Sequence, residues 1–229
     1  RVTAASTIKT LILAAVARAL DAGHLALDTE VAIEDAWRIG GSGVLNWLHR
    51  GIALPVEDLA WLMIAISDNT ASNALIETVG LESIQRLATE LGVPSLHLGR
   101  RFYGYLPEGE TNVNEVTARG LTDLLTGIWR DKVASPERCA WMRALHGDQQ
   151  HRDRLPRRLP DDVTYAGNAA NPDQESADLQ KVAIAQQWQA GPGYWARPVI
   201  RLYAASFFGD QAEAARNGDG VDGDIQVGA

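Results

Sequence analysis

At 229 residues, with 46% hydrophobic and 22% charged positions, the chain is long enough to bury a sizeable core and too apolar for wholesale disorder. A formal charge of -8, with cations clustered only from Arg152 to Arg158, argues against a nucleic-acid or anionic-membrane partner, because phosphate neutralisation needs grouped Lys and Arg. The single Cys139 excludes an internal disulfide, and no run reaches the ~18 apolar residues of a membrane-spanning helix.

The chain opens at Arg1 with no signal peptide, directly on a chemically loaded segment, so its N-terminus reads as truncated. Ser6 and Lys9 stand three positions apart ahead of the uncharged run Leu11 to Ala17, which predicts a buried helix from Ser6 to Ala22 with Gly23 just past its end. One helical turn would bring hydroxyl and amine onto the same face, a nucleophile beside its base, and burial would favour the neutral amine. From His24 to Gly41 the pattern is irregular with short helical pieces. Gly40-Gly41-Ser42-Gly43 lacks the Gly-Lys-Ser/Thr ending of a phosphate loop and reads as a plain turn.

Val44 to His49 reads as a short helix. Pro55, with Glu57 and Asp58 behind it, opens a stronger one that runs through Leu62 and Ile66 into Ser67-Asp68-Asn69. Further helices are predicted from Thr70 to Gly80 and from Leu81 to Leu91, the latter stopped by Gly92 and Pro94. Leu98 to Thr111 has no periodicity and reads as a loop. Asn114 or Thr117 caps the next helix, which carries Leu121, Leu124, Leu125 and Ile128 inward, and Pro136 to His146 makes another. Gln149 to Pro160 reads as a surface connection, and Trp47, Trp61, Trp129 and Trp141 as core. Beyond about Pro172 the composition shifts: residues 172–229 hold seven of the ten glutamines. There Val182 to Trp188 and Pro198 to Phe208 fit strands or short helices equally, and the last ~20 residues read as disordered.

Ser-x-x-Lys followed 61 positions later by Ser67-Asp68-Asn69 resembles the class A β-lactamases and penicillin-binding serine transferases. The wider texts Ala4 to Lys9 and Met63 to Asn73 also look like this family, and the resemblance covers residues 1 to about 165. It implies that Ser6 attacks a strained amide, with Lys9 as base, Ser67 as proton shuttle and the start of the helix as half an oxyanion hole. It also implies that Asn69 bonds Lys9 or substrate, and that Asp68 holds the loop by accepting backbone N–H groups. Glu110 and Asn114 match the Glu-x-x-x-Asn spacing of the family's deacylating glutamate and its asparagine. Asn114 to Ala118, however, already reads as the start of the next helix, which would shorten the family's loop.

Where the family carries Lys-Thr-Gly on a strand, this chain has Thr164-Tyr165-Ala166-Gly167-Asn168. The lysine and threonine are missing, and the Gly167 and Asn168 backbone is left as the candidate second oxyanion contact. A reading-frame shift near residues 165 to 168 would account for both the lost motif and the altered composition behind it.

The expected fold is mainly α, the helical lobe of the β-lactamase/transpeptidase-like architecture with a reduced or incomplete antiparallel sheet. The expected division is a catalytic domain over 1–171 and a divergent, weakly ordered segment over 172–229. The function implied is a serine hydrolase acting on β-lactams or peptidoglycan-like amides and esters, secreted or periplasmic as in the family, with no cofactor and no metal. Two rivals are a relic that keeps the helical core without turnover, and a metal-dependent hydrolase built on His146, Asp148, His151 and Asp153.

Overall fold

The computed structural model describes residues 1–103 and 113–151 in full, together with the backbone of three strands at 164–169, 181–188 and 199–205. Helix α1 (Lys9–Asp21) is the axis of the molecule. Leu11, Ile12, Leu13, Ala14, Val16 and Ala17 are fully buried, so the helix is covered on every side, as an uncharged stretch of good helix formers requires. Burying each Leu or Ile contributes roughly 1.5–3 kcal/mol. Its C-terminus closes as the sequence predicts. Gly23, at φ 70, donates to Leu20 O at 3.1 Å and His24 donates to Ala19 O at 3.0 Å, the paired bonds of a glycine-terminated helix.

Around α1 pack α2 (Val56–Ala65), α3 (Asn69–Val79), α4 (Leu81–Glu90) and α6 (Pro136–Gly147), with α5 (Ala118–Trp129) against α6. Side-chain caps fix three of these starts: Asp68 for α3, Thr117 for α5 and Ser135 for α6. Pro55 stands one position outside α2, at its cap, rather than as its first residue.

Short strands join the periphery. β1 (Val2–Thr3) pairs antiparallel with β4 (Glu115–Val116), and β2 (Glu30–Ala32) with β3 (Ala53–Pro55). β4 corrects the expectation that Asn114 to Ala118 already begins a helix: the chain stays extended through Val116 and turns at Thr117. In the last part of the chain, β5 (Thr164–Ala169), β6 (Lys181–Trp188) and β7 (Val199–Ala205) form an antiparallel sheet in that order, with Gly167 opposite Ala185 and Ile184 opposite Leu202. Strand, not helix, is therefore the outcome for both segments that periodicity left open. β5 runs beside α6 and the turn that carries Ser6.

Two expected core tryptophans lie elsewhere: Trp47 is 78% exposed on a 3₁₀ turn (Leu45–Trp47), and Trp61 is 36% exposed.

Candidate active site

The helix expected to begin at Ser6 begins at Lys9, and Ser6 lies in a preceding 3₁₀ turn (Ala5–Ile8). Ala5 has φ 46 and Ser67, between α2 and α3, has φ 58. Holding non-glycine residues in this left-handed region costs of order 1–3 kcal/mol each, a cost tolerated where surrounding contacts fix the conformation. Here the two strained turns face each other, and the Ser67 hydroxyl donates to Ser6 Oγ at 2.8 Å.

Lys9 completes the connection. Its amine, fully buried, donates to Ser67 O at 2.7 Å, Ser67 Oγ at 2.9 Å and Asn69 Oδ1 at 2.8 Å. The Phe102 ring covers another side, its centroid 4.6 Å from Nζ. Ser6, Ser67 and Lys9 thus form a continuous hydrogen-bonded path from a hydroxyl to an amine, with Ser67 in the middle. Ser6, 9% exposed, is the end nearest solvent.

The loop holding Ser67 is itself held. Asp68 accepts from Ala71 N at 2.9 Å with one oxygen, and from Val44 N at 2.7 Å and Leu45 N at 2.8 Å with the other. Asn69 N donates to Ser42 O at 3.1 Å, while Ile39 N donates to Thr70 Oγ1 at 3.1 Å. The glycine-rich turn is therefore the backing of the Ser67 loop. Gly43 has φ 100, and a Cβ there would come within 2.2 Å of the Asp68 carboxylate, so only glycine permits the approach.

A second clamp comes from Asn73, one turn further along α3. Its amide accepts from Phe102 N at 2.8 Å and donates to Phe102 O and Trp37 O, both at 3.1 Å. Asn114 accepts from Gly99 N at 2.9 Å and Arg100 N at 3.1 Å, and its own C=O accepts from Ala4 N at 2.8 Å. Sequence reading gave Gly43, Asn73 and Phe102 no role. A buried asparagine four positions after Asn69 was the available signal, because a polar group on an inward helical face needs partners.

The start of this loop is fixed from the far side. Gln149 Nε2 donates to Ile64 O at 2.8 Å, Gln150 N donates to Ala65 O at 2.8 Å, and a His151 ring nitrogen lies 3.3 Å from Ile66 O. These are the carbonyls that the end of α2 leaves open. Gln149, 1% exposed, is thus an interior brace rather than part of a surface connection. The residues of the metal rival face separate partners: His146 is buried on α6, Asp148 accepts from Trp61 Nε1 at 3.0 Å, and Asp153 lies outside the described residues. Among the described residues, no group of three His, Cys, Asp or Glu could hold a metal ion. Glu110 also lies outside the described residues, and Gly167 and Asn168 are placed by their backbone on β5.

Comparison with known proteins matches residues 1–174 to the β-lactamase enzyme family. The chain belongs to that family. A β-lactamase from Sphaerobacter thermophilus is 32% identical at a TM-score of 0.72, over 81% of this chain and 69% of that one. PBP-A is 25% identical at a TM-score of 0.69, over 82% of this chain and 67% of that one. A point mutant of PBP-A, equally similar, was solved as an acyl-enzyme complex with penicillin G.

The rest of the chain reads differently. Residues 161–229 match the LamB porin family, and a 37-residue stretch is 51% identical to a maltoporin of Hahella chejuensis, covering 16% of this chain and 9% of that protein. A shifted reading frame does not spell a second family, so the compositional change is a seam between two family texts and the frame-shift explanation falls. The two matches overlap over 161–174, the stretch that contains β5. No helix among the described residues is long and apolar enough to cross a membrane.

Proposed function

We propose that this β-lactamase-family chain is a serine acyl-transfer enzyme, acylated at Ser6 by β-lactams or related amides and esters. The observation that carries the reading is the path from Ser6 Oγ through Ser67 Oγ to Lys9 Nζ. With Lys9 neutral, the Ser6 proton passes to Ser67 Oγ as the Ser67 proton passes to Nζ, and Ser6 Oγ attacks the carbonyl carbon. The oxyanion forms beside the Ser6 N–H, with the β5 backbone near Gly167 and Asn168 as the second contact. Collapse breaks the C–N bond, and the proton returns from Lys9 through Ser67 to the leaving nitrogen. Asn69 fixes the amine, and Asp68 fixes the loop through Gly43 to Leu45.

Reading Ser6 as the nucleophile also draws support from the similar PBP-A point mutant, solved as an acyl-enzyme complex with penicillin G. Without the lysine of Lys-Thr-Gly, β5 offers no cation for a substrate carboxylate, so acylation is slower than in a lactamase that has one. The catalytic unit is taken as 1–171, and a secreted or periplasmic location follows from the family.

Incubation with a fluorescent penicillin, followed by intact-mass and peptide analysis, tests the proposal. A covalent adduct on Ser6 that Ser6→Ala abolishes supports it. Absence of any adduct sinks it in favour of a relic without turnover.

A further inference from the structure

Hydrolysis of an acyl group on Ser6 requires a water beside the ester carbonyl and a base to take its proton. That base must reach the space between Ser6 and Lys9. On the Lys9 side, the space holds a hydrocarbon ring: Phe102 is 7% exposed and its centroid stands 4.6 Å from Nζ. The ring is not there by loose packing. Asn73, 3% exposed, grips both the N–H and the C=O of Phe102, as a neighbouring β-strand would. Asn114 grips the same segment three residues earlier, at Gly99, and Arg101 pairs with Glu77 on the outer side at 3.4 Å. Three anchors over four residues hold a side chain with no proton-accepting atom against the buried amine.

The amine is committed to the acylation path as the partner of Ser67, and the Phe102 ring covers its approach on another side.

We infer that Phe102 acts as a plug that separates acylation from deacylation: it leaves the Ser6–Ser67–Lys9 path intact while keeping a water-activating group from the Lys9 side of the acyl ester. The protein is then a penicillin-binding acyl acceptor with a long-lived adduct rather than a turnover lactamase. The inference rests on acylation at Ser6 as proposed above. It also specifies what would restore hydrolysis. In Phe102→Glu, held by the same Asn73 clamp, the carboxylate takes a proton from water, the water oxygen bonds to the acyl carbon, the C–Oγ bond breaks and the proton passes to Ser6 Oγ.

The test follows the benzylpenicillin adduct by intact mass on the full chain, measuring its formation and its decay separately. The expected result is a wild-type adduct that persists, and a Phe102→Glu adduct that, once formed, decays about 10²-fold faster, the scale of a positioned general base. Phe102→Leu, which keeps an apolar plug, should retain the persistent adduct, and it carries the test if the glutamate variant does not fold. A wild-type adduct that decays readily, whether or not Glu110→Gln stabilises it, overturns the plug while leaving acylation at Ser6 standing. A persistent wild-type adduct with no acceleration in a folded Phe102→Glu also overturns it. No adduct on the wild type overturns the acylation reading and the plug together.

Discussion

The two walls flanking Ser6 are built on opposite plans. The wall from Ser67 to Asn73 spends every polar side chain on a named partner: Ser67 on Ser6, Asp68 on Val44 and Leu45, Asn69 on Lys9, Thr70 on Ile39, Ser72 on the Asp68 carbonyl, Asn73 on Phe102. The strand β5, beside the turn that carries Ser6, reads Thr164-Tyr165-Ala166-Gly167-Asn168-Ala169 with no lysine, and it lies where the β-lactamase and porin texts overlap. In the proposed mechanism the first wall activates Ser6, and the second bears on recognition and on the oxyanion.

Breaking the first wall should have the largest effects. Ser6→Ala should remove all covalent labelling by a fluorescent penicillin. Lys9→Met should reduce the acylation rate by about 10³-fold, the scale of a lost general base. It should also destabilise the fold, because the buried oxygens of Ser67 and Asn69 lose their donor; stopped-flow labelling and chemical denaturation measure the two effects.

Loosening the same wall indirectly should cost less. Gly43→Ala places a Cβ within 2.2 Å of Asp68, and overpacking of this kind destabilises by about 1–3 kcal/mol. A lowered melting temperature together with slower labelling is expected. Unchanged labelling would show that the turn does not position Ser67.

The facing wall gives the smallest effect, and a gain. Tyr165→Lys with Ala166→Thr rebuilds Lys-Thr-Gly ahead of Gly167 and should raise acylation by carboxylate-bearing β-lactams about ten-fold, on the strength of one added charged contact. An uncharged ester substrate should respond less. Equal gains for both would mean that the strand acts on the oxyanion and not on the carboxylate.

The parts that could be read from the sequence are those written locally. Ser6 and Lys9 are three residues apart, Ser67 to Asn69 are contiguous, and α1, α3, α4 and α5 carry their periods and caps in single stretches. What stayed hidden depends on chain segments meeting. β1 with β4 and β2 with β3 are two or three residues long, below any readable alternation. The approach of Gly43 to Asp68 joins residues 25 apart, and Asn73 meets Phe102 across 29. β6 and β7 mix apolar and polar positions without a clear period, so only the pairing of β6 with β5 and of β7 with β6 identifies them as strands.

The three successive bonds that Gln149, Gln150 and His151 make to Ile64, Ala65 and Ile66 act like a zip fastener on the end of α2. They dock the chain beneath the Ser67 loop ten residues before the porin-like match begins. The strapping therefore lies inside the β-lactamase match, which runs on to residue 174, and it holds the end of α2 that leads into Ser67 by contacts made before β5 begins.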